Sequence, residues 1–133
     1  MSDFKVPSSM LTFAGAFYPK GYMFIMFPAE KDAQQVASAL GQWSDKPDVQ
    51  QLSPQTVLRE IGKVDGDTDV ELPAVGTEGA TVHKFVQLAR QGNCALMIKA
   101  DSDEVAERVM TEVRKVPFSY GQRYHLLAIE DLE

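Results

Sequence analysis

The sequence has very little cysteine and histidine. Among its 133 residues, Cys94 is the single cysteine, and His83 and His125 are the two histidines. One cysteine cannot form an internal disulfide, and one thiol with two imidazoles does not provide the ligand spacing of a Cys/His metal site. The composition therefore predicts a fold held by its core, with no cofactor or metal, in a reducing, cytoplasmic setting.

Basic residues are also scarce. The chain carries 13 Lys and Arg against 19 Asp and Glu, which gives a formal net charge of -6. Phosphate backbones and anionic membrane surfaces are bound mainly through clustered Lys and Arg, and no segment of this sequence is basic. We therefore expect neither nucleic acid nor a membrane as a partner.

Long apolar runs are absent. No stretch approaches the roughly 18 apolar residues of a transmembrane helix. The A-x-A sequence at residues 14–16 would suit a signal peptidase, but its apolar core is shorter than about 7 residues and follows no basic cluster. With 44% apolar residues over 133 positions, the sequence predicts one soluble globular domain.

What the sequence does contain is a regular series of strands and helices. Tyr22–Phe27 is a continuous apolar run between Gly21 and Pro28, which predicts a buried strand. The next predicted elements are a helix through Ala33, Val36, Ala37 and Leu40 and a strand over Val49–Leu52. Two helices follow: one is capped by Ser53 and Pro54 and runs through Val57, Leu58 and Ile61, and the other runs through Val82, Phe85, Val86 and Ala89 and ends at Gly92 and Asn93. The predicted order ends with a strand over 94–100, a helix from Asp101 and Glu104 to Pro117, and a last strand over 124–129.

This order predicts an α+β, ferredoxin-like fold in one domain, 1–133. A shift of 73 residues superimposes 24–27 on 97–100, as expected of two βαβ units, 21–52 and 93–133, separated by a helical insert, 53–92. The units would form a four-stranded antiparallel sheet with two helices on one face. Residues 11–17 could add a strand, joined to the first by a turn over 18–21.

The strands are apolar on both faces, although a two-layer fold needs only one apolar face. The repeat places Tyr22, Phe24, Met26 and Met97 on the side away from the two helices, so that side must be covered. Four partners could cover this sheet face: the N-terminal segment, the insert, a second copy of the chain, or a small apolar ligand. Because isologous dimers are the commonest oligomers, a homodimer through this face is the leading prediction.

Three features of the sequence have residue types that occur in chemical sites. Asp65, Asp67, Asp69 and Glu71 alternate like metal ligands, but their spacing does not match a calcium loop and indicates a solvated acidic loop. Cys94 lacks a nucleophile signature and is expected to be a small buried hydrophobe. His125, beside Tyr124 in an apolar strand, could be a general base or a haem-type ligand, or a histidine on the wet face of the strand.

Several short segments resemble the bacterial heat-induced general stress protein family. They are residues 23–28 with Asp32, Ala33 and Val36, then Leu52, Ser53 and Pro54, and near the end Tyr120 and Gly121 with residues 128–132. The resemblance implies a small ferredoxin-like protein without an assigned activity, and it provides no catalytic residue.

The sequence thus predicts a non-catalytic, stress-related or regulatory cytoplasmic protein that acts as a homodimer. The alternative is a small-molecule enzyme or haem-type ligand-binding protein of dimeric α/β-barrel type. A third reading, RNA stacked on Tyr22 and Phe24, is opposed by the acidic charge. The candidate interface or ligand-binding residues are Tyr22, Phe24, Met26, Met97, Tyr124 and His125.

Overall fold

The computed structural model describes residues 19–61, 77–124 and 129–132. The predicted strand over 11–17, the acidic stretch 65–71 and His125 lie outside these ranges. The elements in chain order are β1 (Tyr22–Phe27), α1 (Glu30–Gly41), β2 (Val49–Leu52), α2 (Pro54–Thr56) with a π-helical turn (Val57–Ile61), α3 (Thr77–Arg90), β3 (Cys94–Lys99), α4 (Asp103–Val113), β4 (Tyr120–Tyr124) and β5 (Ile129–Asp131).

The strands of the described residues form one five-stranded sheet in the order β2-β3-β1-β4-β5, and every neighbouring pair is antiparallel. The predicted α+β character is therefore confirmed, with β1 at the centre of the sheet and β3 and β4 on its two sides. The strands that neighbour each other in the sheet are mostly distant in sequence, because helices connect β1 to β2 and β3 to β4.

The predicted four-strand layout is wrong at the C-terminal end. A single strand over 124–129 was expected, whereas β4 ends at Tyr124 and β5 begins at Ile129. Hydropathy missed β4 because Gln122 and Arg123 are polar yet buried. Their polar groups bond to other side chains: the Gln122 amide donates to the Tyr120 hydroxyl, and the Arg123 guanidinium donates to Asp103.

Two helix starts are set by serine caps. Ser53 precedes α2, and its hydroxyl accepts the Thr56 N–H at 3.1 Å, as the Ser-Pro sequence predicts. The cap of α4 is Ser102, whose hydroxyl accepts the Val105 N–H at 3.2 Å. The sequence predicts Asp101 as this cap, and that prediction is wrong by one residue.

The turn before β1 is also displaced by one residue. The Tyr22 N–H donates to the Pro19 carbonyl at 3.0 Å, so the turn spans 19–22 where 18–21 was predicted. Gly21 is then the third turn residue, with φ +85°, a conformation that side chains disfavour.

The sheet separates two apolar clusters, one on each face, so the fold has three layers where two were expected. On the first face, β-strand side chains such as Met23, Ile25 and Leu96 pack against α1 and α4. On the second face, the helices between β2 and β3 pack on the sheet. This second layer contains five of the six predicted candidate residues, namely Tyr22, Phe24, Met26, Met97 and Tyr124.

Candidate functional site: the sheet face beneath the insert

The second sheet face is covered from within the chain. Phe24, Met26 and Met97 lie on it, as the repeat indicates, and each is 0% exposed. The covering side chains are Val57 and Ile61 of the π-helical turn and Phe85 and Ala89 of α3. The region predicted as the contact surface of a homodimer is therefore filled by the insert.

An aromatic cluster fixes α3 on the sheet. The ring of Phe85 lies 4.3 Å from that of Phe24 and 5.6 Å from that of Tyr120, measured between ring centroids. Lys84, one residue earlier on α3, places its ammonium 6.0 Å from the centroid of the Tyr120 ring. Phe85 thus packs between the central strand and β4, and Lys84 lies at the rim of the cluster.

A row of polar side chains runs along β4 in this layer. Tyr120, Gln122 and Tyr124 alternate along the strand and so share its inner face. Gln122 and Tyr124 are both 1% exposed, and the Gln122 amide donates to the Tyr120 hydroxyl at 2.6 Å. Of these three residues, the sequence predicts only Tyr124 as a candidate site residue. The period-two pattern Tyr-x-Gln-x-Tyr is the signal that could have found the other two.

Tyr22 lies at the edge of the same layer and is only partly buried. Its hydroxyl donates to Asp48 at 3.1 Å. Burial raises the pKa of the Tyr22 phenol, and the hydrogen bond and negative charge of Asp48 raise it further. At neutral pH this phenol is therefore a neutral hydrogen-bond donor.

Glu60 is a buried carboxylate on the π-helical turn. It is 4% exposed, and its Oε2 lies 3.2 Å from Nε of Arg59, whose side chain reaches solvent. A buried carboxylate needs such a partner because desolvation penalises its charge. The hydrophobic periodicity of the sequence does not predict that Glu60 is buried, since a glutamate in a helix ordinarily lies on the solvent-exposed face.

Cys94 has the properties of a small hydrophobe. It is buried at the start of β3, and its thiol lies 3.8 Å from the Phe27 carbonyl oxygen. Burial raises the pKa of the Cys94 thiol, and the negative charges of Glu30 and Asp32 add to this rise. The thiol is thus protonated at neutral pH, which is the unreactive form.

The described residues contain no group of three or more His, Cys, Asp or Glu side chains that could hold a metal ion. No helix in the part of the chain that the structure describes is long and apolar enough to span a membrane.

The candidate site is therefore a closed layer of aromatic side chains with hydroxyl and amide groups on one strand. Such groups recognise a ligand through hydrogen bonds and ring contacts. Searches of protein-family models, curated proteins and solved structures find no match to this chain.

Proposed function

We propose that this protein is a non-catalytic regulatory protein that acts as a homodimer in the cytoplasm. We further propose the ferredoxin-like fold, with β5 added at its edge. The order β2-β3-β1-β4 supports this, because two interlocked βαβ units produce that order. A stress-related role rests on the resemblance of the sequence to heat-induced general stress proteins.

One observation carries the non-catalytic part of the proposal, namely the filling of the second sheet face by the insert. The homodimer no longer rests on this face, and its support is that isologous dimers are the commonest oligomers. In a dimeric α/β barrel this face forms the wall of the ligand cavity. Here Phe24, Met26 and Met97 contact α3 and the π-helical turn instead. Association with a partner then depends on surfaces outside this layer, such as the sheet edges.

The state of two reactive groups also supports a non-catalytic role. Nucleophiles and bases in active sites are usually tuned so that the reactive form is populated near neutral pH. The pKa values of Cys94 and Tyr22 are instead raised, which favours the protonated, unreactive form of each group. Both groups therefore fit a structural role better than a chemical one.

Sedimentation velocity over a wide concentration range tests the homodimer. We expect a reversible monomer–dimer equilibrium, with the dimer favoured at high concentration. A monomer at every concentration would contradict the proposal.

The buried polar row on β4 favours a second candidate function, the binding of a small apolar ligand with a polar group. Tyr120, Gln122 and Tyr124 place two hydroxyls and an amide in an otherwise apolar layer. The Gln122 amide already donates to the Tyr120 hydroxyl, so a ligand would have to displace part of the insert to reach this row.

A thermal-shift screen of apolar ligands, with absorbance spectra after haem addition, tests this second function. A ligand at 100 times its dissociation constant stabilises a protein by about 2.7 kcal/mol, which is easily measured. Saturable stabilisation that is lost in Tyr124→Phe or His125→Ala would favour ligand binding. No shift with any ligand is the result we expect if the layer is purely structural.

A further inference from the structure

The two outer strands of the sheet differ in charge. β2 has the sequence Val-Gln-Gln-Leu and carries no charge, whereas β5 carries Glu130 and Asp131. Like charges placed opposite each other across paired strands are destabilising, so acidic residues protect an edge from pairing with a copy of itself. Among the described residues, β3 is the one strand that pairs with β2. The outer edge of β2 is therefore the better candidate for contact between copies.

The backbone of β2 has a defined orientation. The Lys99 N–H donates to the Asp48 carbonyl at 2.9 Å, and the register aligns Val49 with Ile98. In an antiparallel ladder, hydrogen-bonded and non-hydrogen-bonded pairs alternate. The backbone groups of residues 48, 50 and 52 thus face β3, and those of Val49 and Gln51 face the outer edge.

We propose that β2 of a second copy of this chain pairs antiparallel with this outer edge, with Gln50 on the two-fold axis. In this register Val49 exchanges backbone hydrogen bonds with the partner's Gln51, and the symmetric pair does the same. Gln50 and the partner's Gln50 then form the non-hydrogen-bonded pair between them. This inference rests on the proposed homodimer and names its interface.

The charges near β2 allow this register. Asp48 is the charged residue next to the strand, and the two copies of it would lie four residue steps apart along the strand direction. That separation is about 13 Å at roughly 3.3 Å per residue, beyond the Debye length of about 8 Å at physiological salt. Because β2 has only 4 residues, the contact is small and the dimer is expected to be weak and concentration-dependent.

Amide hydrogen exchange at high and low protein concentration tests the interface residue by residue. The Val49 and Gln51 amides should exchange slowly in concentrated protein and rapidly after dilution. The Gln50 and Leu52 amides, which face β3, should stay protected at both concentrations and are the internal control. Outer-edge amides that exchange rapidly at every concentration would overturn the inference. Slow exchange in a protein that sediments as a monomer would mean that another segment of the same chain covers the edge, and this also overturns it.

Cross-linking tests the register. Gln50→Cys should form an intermolecular disulfide on oxidation, because the two Cα atoms of a non-hydrogen-bonded pair lie about 4.5 Å apart. Gln51→Cys is the matched control, since its two copies would be about 8 Å apart and out of disulfide range. Cys94 is buried and should not compete. Equal cross-linking of both variants would contradict the register.

A proline variant tests the hydrogen bonds themselves. Gln51→Pro removes an outward N–H but no bond to β3, so the fold should persist while the dimer dissociation constant rises at least about tenfold. If the variant and the native chain dimerise equally and Gln50→Cys does not cross-link, the interface lies elsewhere and this inference fails, while the homodimer stands. If the native chain is monomeric throughout, the homodimer fails as well.

Discussion

Cys94 and Tyr22 both have a pKa above the ordinary value of their side chains, and burial is the main cause in each. The folded chain therefore holds these protons more tightly than the unfolded chain does. A group of this kind contributes stability below its unfolded pKa, and that contribution is lost as the pH rises toward the folded pKa. The ordinary pKa is 9.0 for a cysteine thiol and 10.0 for a tyrosine phenol, and these values stand for the unfolded chain.

We predict that the free energy of unfolding falls as the pH rises above 9, where the thiol of the unfolded chain ionises. Cys94→Ala should weaken this fall between pH 8 and pH 10, because the variant has no thiol to ionise. Urea denaturation at a series of pH values measures it, with Tyr22→Phe as the control that alters only the upper part of the range. Parallel pH curves for the native chain and Cys94→Ala would contradict the prediction.

At the scale of elements, glycine marks the end of α3. Gly92 has φ +96°, and the Gly92 N–H donates to the Ala89 carbonyl at 3.0 Å. Asn93 completes this helix end, since its side-chain amide donates to the Leu88 carbonyl. The Gly-Asn pair therefore ends α3 directly before β3, as its position in the sequence predicts.

Gly92→Ala should destabilise the protein by about 1–2 kcal/mol, because an L side chain disfavours the left-handed conformation. Gly41→Ala is the matched control: a Cβ meets nothing within 4 Å at either position, but Gly41 has no positive φ. This control should have little effect or stabilise α1 slightly. Chemical denaturation compares the two variants, and equal effects would mean that the conformation of Gly92 is not the cause.

For the whole molecule, the consequence of three layers is that the sheet is buried on both sides. Phe24 points toward the insert, whereas the neighbouring Met23 and Ile25 point toward α1 and α4. The single tryptophan, Trp43, packs against the α1 and α4 side, with the Arg108 guanidinium 4.0 Å from its ring. Trp43 thus reports on the layer opposite the insert.

We predict that Phe24→Glu unfolds or strongly destabilises the whole domain, because an unpaired buried charge costs several kcal/mol. Trp43 fluorescence and far-ultraviolet circular dichroism should show the same lowered midpoint, although the substitution lies on the opposite face. Gln50→Glu, at an exposed position, is the control for the added charge and should remain folded. A folded Phe24→Glu monomer would mean that the insert does not cover this face.

Local patterns in the sequence determined most of the elements and their faces. The apolar runs predicted β1 and the start of β3, and Ser53 with Pro54 predicted the start of α2, because burial and capping leave signals within a few neighbouring residues. The repeat also placed Phe24 and Met97 on the face away from α1 and α4.

Only the tertiary structure decided what covers that face and how the sheet ends. The contact of Phe85 with Phe24 joins residues about 60 positions apart, and nothing near either one indicates the other. Likewise, Arg123 is buried in β4 because Asp103, on another element, accepts its hydrogen bond at 2.6 Å. The hydropathy of a residue reflects the cost of burying its polar group. It contains no information about a distant hydrogen-bond partner that offsets this cost.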